Sequence, residues 1–243
     1  MSRVGVVIVA AGKGSRMKSA EHKQYLNIKD KPILLHTLEA FQRSRYIDHM
    51  TVVVGASDVE RVKGWVHTGQ LHKVEQVLAG GRERQESVYL GLTQLPADIE
   101  WVLVHDGVRP FITSSGINDC LEAARQYGAA VPAVPVKDTI KKVGADQVIV
   151  ETPERQSLWA VQTPQAFRAS HLLAAHEAAR KDGFTGTDDA SLLERMDEPV
   201  KVVMGDYRNI KITTPEDLSV ATQICDELAA ERATEQAERD DIK

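Results

Sequence analysis

Short apolar runs rich in β-branched residues recur along the whole chain: VGVVIVA (4–10), MTVVVGA (50–56), KVEQVLA (73–79), WVLVH (101–105), AAVPAVPV (129–136) and VKVVMG (200–205). Runs that are apolar throughout, without polar residues at alternate positions, suit strands covered on both faces. Between them lie stretches with helical spacing, at about 32–44, 58–68, 83–95, 114–127 and 170–181. This alternation predicts an α/β fold, a doubly wound and mostly parallel sheet. No Pro/Gly/Ser-rich linker interrupts it, so residues 1–243 read as a single domain.

One segment departs from the rhythm. Residues 137–163 read as two short strands around Gly144-Ala145-Asp146, a β-hairpin arm projecting at about 137–160. Such a hairpin is poorly stable alone, so it is expected to pack on a partner, a second copy of the chain. Thr214-Pro215-Glu216-Asp217 is a helix start, with a residue able to cap, a proline suited to the first turn and two acids at the positive end of the dipole. The helical tail from about 226 is Ala, Glu, Arg and Asp, a solvated helix that frays at its end.

Composition narrows the function. The 243 residues carry a formal net charge of −5, which argues against general nucleic-acid binding, because that needs a basic face. Cys120 and Cys225 lack ligand-like spacing, so neither a disulfide framework nor a zinc site is expected and a reducing cytoplasm fits. The first apolar run is too short to span a membrane.

Candidate chemistry gathers at the strand ends. The first strand leads into Ala10-Ala11-Gly12-Lys13-Gly14-Ser15-Arg16-Met17. A dinucleotide fingerprint needs a third glycine where Met17 stands, and a Walker A loop needs glycine and Ser/Thr where Val7 and Gly14 stand. Both fail, which disfavours an NAD-dependent dehydrogenase. What remains is a small-residue loop whose glycines let backbone N–H groups approach phosphate, followed by the planar cation of Arg16. A tight turn with a solvated arginine is the competing reading. Lys23 follows as a second cation that reaches the same phosphates or simply lies on the surface.

The fourth run ends in His105-Asp106-Gly107-Val108-Arg109-Pro110. Ligands of open α/β sheets sit beyond the carboxyl ends of strands. Asp106 is there a candidate Mg²⁺ ligand and Arg109 a holder of an anionic substrate, unless the two merely pair to close a turn. His105 reads as a packing residue. Gly80-Gly81-Arg82 leave room for a flat base that Ser87 can hydrogen-bond, or form an ordinary strand-to-helix turn. Lys211 is placed to point back at the phosphates. Thr163 and Thr187 add hydroxyls, and Thr187 reads equally as the N-cap of a helix at 188–196.

Together these motifs resemble one family over about residues 4–225. The strings AAGKGSRM and HKQ are similar to the signature of sugar-nucleotide and polyol-phosphate nucleotidyltransferases; VHDGVRP, LWAVQTPQ, TDDAS and NIKITTPEDL resemble 2-C-methyl-D-erythritol 4-phosphate cytidylyltransferases. His22 departs from the proline that the family often has before Lys-Gln, and a small loop difference with Lys23 still in place is expected. The resemblance implies a Rossmann-like fold and a homodimer built through the β-arm. It also implies CTP as substrate, Mg²⁺ or another divalent cation, and transfer of CMP to methylerythritol phosphate in isoprenoid biosynthesis. It places Ala10, Ala11, Gly12, Gly14, Gly81, Arg82 and Ser87 around the nucleotide, with Arg16, Lys23, Lys211 and Asp106 at the reacting phosphates. Arg109, Thr163 and Thr187 fall on the acceptor side, while Thr139 and Arg155 lie in the arm and reach the partner's site. D-ribitol-5-phosphate cytidylyltransferases share several of these motifs, but LWAVQTPQ and TDDAS favour methylerythritol phosphate. A catalytically silent nucleotide-binding subunit is the reading from another class.

Overall fold

A computed structural model describes residues 2–12, 17 and 21–241, with the side chains of the last helix described as far as Glu231. In chain order the strands are β1 (Arg3–Ala10), β2 (Asn27–Ile28), β3 (Lys31–Pro32), β4 (His49–Val54), β5 (Val74–Ala79), β6 (Ile99–Asp106), β7 (Ala129–Pro135), β8 (Lys142–Val143), β9 (Ile149–Glu151), β10 (Trp159–Val161), β11 (Gln165–Arg168) and β12 (Lys201–Met204). The helices are α1 (Ile33–Arg43), α2 (Val59–Thr68), α3 (Arg84–Thr93), α4 (Ser114–Tyr127), α5 (Ala169–Lys181), α6 (Ala190–Glu194) and α7 (Pro215–Asp241).

The main sheet runs β5-β4-β1-β6-β11-β7, with β10 and β12 also paired to β7. Strands β5, β4, β1 and β6 are mutually parallel, and β12 is parallel to β7. The continuous apolar character of β1 has a direct cause. Val4, Val6 and Ile8 pack with Leu34, Leu38 and Phe41 of α1 on one face. Val7 packs with Val88 of α3 and Leu172 of α5 on the other. Each fully buried aliphatic side chain contributes about 1.5–3 kcal/mol of transfer free energy. Helix α3 comes so near β1 that a Cβ on Gly91 would lie 2.4 Å from Val7 Cγ1.

The sheet also differs from the sequence reading. The segment carrying Gln162-Thr163-Pro164 forms strands: β11 inserts antiparallel between β6 and β7, and β10 continues along β7. Trp159–Val161 therefore belongs to the main sheet, and the projecting hairpin consists of β8 and β9 alone. Its turn closes with Gly144 N–H donating to Val148 O at 2.9 Å. Helix α6 starts later than expected. Asp189 and not the exposed Thr187 stands at the N-cap of α6, and the Asp188 carboxylate before it accepts from Ser191 N–H at 3.0 Å.

A third apolar cluster joins Met17, Ile28, Ile33, Val108, Phe111, Ile212, Ala221 and Ile224. It ties α7 and the segment before it to the loop after β6. At the start of α7 the Asp217 carboxylate accepts from Thr213 N–H at 2.7 Å and Thr214 N–H at 2.9 Å. The helix is thus capped by an acid reaching back from its first turn. Among the described residues no helix is long and apolar enough to cross a membrane.

Candidate active site

The chain runs from β1 through α1 to β4 and β5 on one side, then returns through α3 to β6 on the other side of β1. That reversal opens a crevice at the carboxyl ends of β1 and β6, where open α/β sheets bind ligands. In this register Val9 lies beside Asp106, and Gly107 N–H donates to Val9 O at 2.8 Å. The loop after β1 and the acidic end of β6 are thereby fixed side by side.

A cleft of about 220 Å³ lies there, lined among others by Ala10, Ala11, Gly12, Lys23, Gly81, Arg82, Ser87, Asp106 and Lys211. These nine sequence-selected residues converge from five separate stretches of chain. Gly14 and Arg16 lie outside the described residues. Thr163 and Arg109 stand behind the cleft and do not line it; Thr187, Thr139 and Arg155 are exposed away from it.

Asp106 is the electrostatic centre. Lys211 Nζ lies 2.7 Å from its Oδ2, Arg84 Nε 3.2 Å from its Oδ1, and Arg109 Nε 3.7 Å from its Oδ2. Burial alone would raise this carboxyl, but Arg84 and then Lys211 outweigh it and hold the group well below the usual carboxylate range. Thr163 fixes the backbone: its Oγ1 accepts from Asp106 N–H at 3.1 Å and contacts His105 Nδ1 at 3.2 Å. His105 is buried against Phe41, with ring centroids 4.8 Å apart, and burial pushes it down to about 4. It is a neutral packing residue.

Arg109 also closes the turn locally, its N–H donating to Asp106 O at 3.0 Å. Its Nη1 donates to Asn209 O at 2.7 Å, so the arginine links the loop after β6 to the segment that carries Lys211. Ile212, next along, is fully buried and donates its N–H to Val108 O at 3.0 Å. Burial of a neighbour thus aims Lys211 into the cleft.

Across the cleft, Gly81 N–H donates to Ser87 Oγ at 3.1 Å, and Ser87 Oγ donates to Glu83 O at 3.0 Å. The hydroxyl shapes the Gly80-Gly81 turn from inside α3. The buried Gln24 supports the opposite wall, its Nε2 donating to Ala10 O at 2.7 Å. Beside it, His22 Nδ1 lies 3.4 Å from Asp58 Oδ2, and Lys23 keeps its place at the cleft despite the missing proline.

Sequence reasoning missed Arg84 and Asp189. Arg84 Nη1 donates to Asp189 Oδ2 at 2.7 Å while its Nε meets Asp106. Arg84 opens α3 directly after the glycine turn, a position facing the strand ends, and Asp189 lies in the TDDAS string. Both signals were present, but only the fold brings them together.

Comparisons with known proteins agree over almost the whole chain. A family model described as 2-C-methyl-D-erythritol 4-phosphate cytidylyltransferase matches residues 4–227. The enzyme of that name from Geobacillus kaustophilus is 49% identical over 219 residues, 90% of this chain and 95% of its own. The one from Alkaliphilus metalliredigens is 50% identical over 224 residues, covering 92% and 93%. Among solved structures, the 4-diphosphocytidyl-2C-methyl-D-erythritol synthase of Anaerococcus prevotii superposes with a TM-score of 0.81 at 33% identity, over 93% of this chain and 96% of that one. The Thermus thermophilus cytidylyltransferase gives 0.75 at 33% identity, over 90% and 97%. This chain belongs to the 2-C-methyl-D-erythritol 4-phosphate cytidylyltransferase family.

Proposed function

We propose that the protein transfers CMP from CTP to 2-C-methyl-D-erythritol 4-phosphate. The products are 4-diphosphocytidyl-2-C-methyl-D-erythritol and pyrophosphate, in isoprenoid precursor biosynthesis. Family membership supports the reaction. The single observation that carries the site assignment is the convergence of Lys23, Lys211 and Asp106 on one cleft at the switch point of the sheet.

The reaction is an in-line displacement. A phosphate oxygen of the acceptor attacks the α-phosphorus of CTP, a new P–O bond forms, and the α–β bond breaks with its electron pair leaving on pyrophosphate. The nucleophile is already an anion, so no covalent enzyme intermediate is needed. The obstacle is electrostatic, and catalysis rests on positioning and on preorganised cations. Lys23, Lys211 and, by resemblance, Arg16 supply the positive charge. Gly12, Gly81 and, by resemblance, Gly14 let backbone approach the nucleotide, with Ala10, Ala11, Arg82 and Ser87 around it. Arg109 and Thr163 act on the acceptor side by fixing the walls; Thr187, exposed away from the cleft, is assigned to that side by resemblance alone.

The donor set fits a divalent cation of the Mg²⁺ type. Asp106 presents one carboxylate at the cleft, and Mg²⁺ favours one or two carboxylates completed by substrate phosphates. Among the described residues no cluster of three ligating side chains competes for this role. Asp106 would hold the ion, which when bound neutralises phosphate charge. Lys211, which rests on the Asp106 carboxylate, would turn to the substrate phosphate.

The assembly we infer is a homodimer. Hairpin β8–β9 carries Val148, Ile149 and Val150 at 60%, 57% and 68% exposure, apolar surface that a second copy would cover. Thr139 and Arg155 would then reach the partner's site. The reaction is tested by phosphorus NMR of a mixture of protein, CTP, Mg²⁺ and methylerythritol phosphate. A new diphosphodiester signal supports transfer, and hydrolysis to CMP alone would overturn it.

A further inference from the structure

Arg84 joins two buried carboxylates that come from distant elements. One is Asp106 at the end of β6; the other is Asp189, 1% exposed, immediately before α6. The planar guanidinium serves both, Nε to Asp106 Oδ1 at 3.2 Å and Nη1 to Asp189 Oδ2 at 2.7 Å. A lysine offers a compact point charge without this rigid planar fork, so it does not fix both carboxylates in one geometry. Asp189 is itself held. Its Oδ1 meets Nε2 of the fully buried His176 of α5 at 3.1 Å. Its N–H and that of Ala190 both donate to Gln165 Oε1 at 3.2 Å. The line His176–Asp189–Arg84–Asp106 therefore runs from the rear of the domain core to the reacting edge.

The chemistry proposed above requires Lys211 to leave Oδ2 of Asp106 for phosphate. A carboxylate that loses its nearest cation is free to rotate unless its other oxygen is held. Arg84 holds that oxygen, and Asp189 keeps Arg84 from following the incoming phosphates. Three cations (Arg84, Arg109, Lys211) face two carboxylates here, so the site stays net positive toward a polyanion.

We propose that Arg84 is a positioning residue that fixes the Asp106 carboxylate during the reaction, and that the buried Asp189–His176 pair anchors Arg84. This rests on the cytidylyltransferase reading. Supporting partners of this kind change activity by roughly 10- to 100-fold when altered.

The test is a double-mutant cycle on the full-length protein, with kcat and the KM for CTP measured beside thermal unfolding. Arg84→Lys and Asp189→Asn should each lower kcat by roughly 10- to 100-fold with KM for CTP changed less than about threefold. In an Asp106→Asn background the Arg84→Lys change should cost less than about threefold more, because residues acting through one group are not additive. A purely structural role would lower unfolding temperature and add its loss in both backgrounds. Near-wild-type kcat in Asp189→Asn, or full additivity with Asp106→Asn, overturns the proposal. If Arg84→Lys fails to fold, the same cycle with Asp189→Asn decides. A wild type that is active beside normal variants sinks this inference alone; an inert wild type sinks the underlying reaction and this inference with it.

Discussion

Lys211 Nζ lies 2.7 Å from Asp106 Oδ2, although one belongs to the segment before the last helix and the other to the end of a central strand. No local pattern predicts that contact. It follows from Ile212, whose burial among Ile28, Ile33 and Val108 leaves its neighbour facing the cleft. In the structure this lysine joins Arg84 and Arg109 around one buried carboxylate.

If Lys211 and Lys23 stabilise charge on the transferring phosphate, Lys211→Ala and Lys23→Ala should each lose roughly 10²–10³-fold in kcat, the scale of a lost oxyanion donor. Both side chains border solvent, so the unfolding temperature should stay near wild type. Steady-state turnover beside calorimetry checks this, and near-wild-type turnover in either variant would remove that lysine from the mechanism.

The Gly80-Gly81 turn has a steric prediction. A Cβ on Gly80 would lie 2.4 Å from Ala11 Cβ and 2.8 Å from Ser87 Oγ, closing the distance between the loop after β1 and α3. Gly80→Ala should lose about 1–3 kcal/mol of stability, as overpacking does, and weaken CTP binding. Urea unfolding and titration calorimetry read the two effects; unchanged affinity would place the nucleotide elsewhere.

His105 gives a pH dependence. Burial lowers it from 6.5 to about 4, so between those values the unfolded chain binds a proton that the folded chain refuses. Stability therefore falls as pH drops through that window, by about 3 kcal/mol in all. Urea unfolding across that range should show a shallower fall in His105→Gln than in wild type. Parallel curves would mean that another group carries the acid sensitivity.

The arm leads to a complementation test. Arg155 is exposed, its Nη1 donating to Lys137 O at 3.1 Å at the base of the hairpin. If it serves the partner's site, Arg155→Ala and Arg16→Ala should each be impaired. Mixed and allowed to exchange subunits, they should recover part of the wild-type rate through hybrid dimers carrying one intact site. No recovery, with exchange verified by mass, would mean that one subunit supplies both residues to its own site.

Much of this was legible in the chain. The apolar runs at 4–10, 50–56, 101–105 and 129–136 form strands covered on both faces, whereas the sheet-edge strands β5 and β12 are partly or largely exposed; the loop after β1, the Asp106 motif and the Lys211 segment are each visible as local strings. Three things were not. The antiparallel strand Gln165–Arg168 was hidden because Gln162-Thr163-Pro164 reads as a loop, yet pairing with β6 and β7 satisfies its backbone. The start of α6 reads two residues early in the sequence, because Thr187, Asp188 and Asp189 are all residue types suited to a cap and only the fold sets Asp189 at that position. Arg84 is not legible as a site residue because an arginine at a helix start shows no partner nearby in sequence; both of its carboxylates come from remote elements.

The most direct test is pyrophosphate release by the purified protein with CTP and Mg²⁺, offering methylerythritol 4-phosphate and ribitol 5-phosphate in parallel. Release with methylerythritol 4-phosphate alone is predicted. Release only with ribitol 5-phosphate would keep the displacement chemistry but contradict the acceptor. Silence with both, from a folded protein that binds CTP, would contradict the transferase assignment and leave a nucleotide-binding subunit.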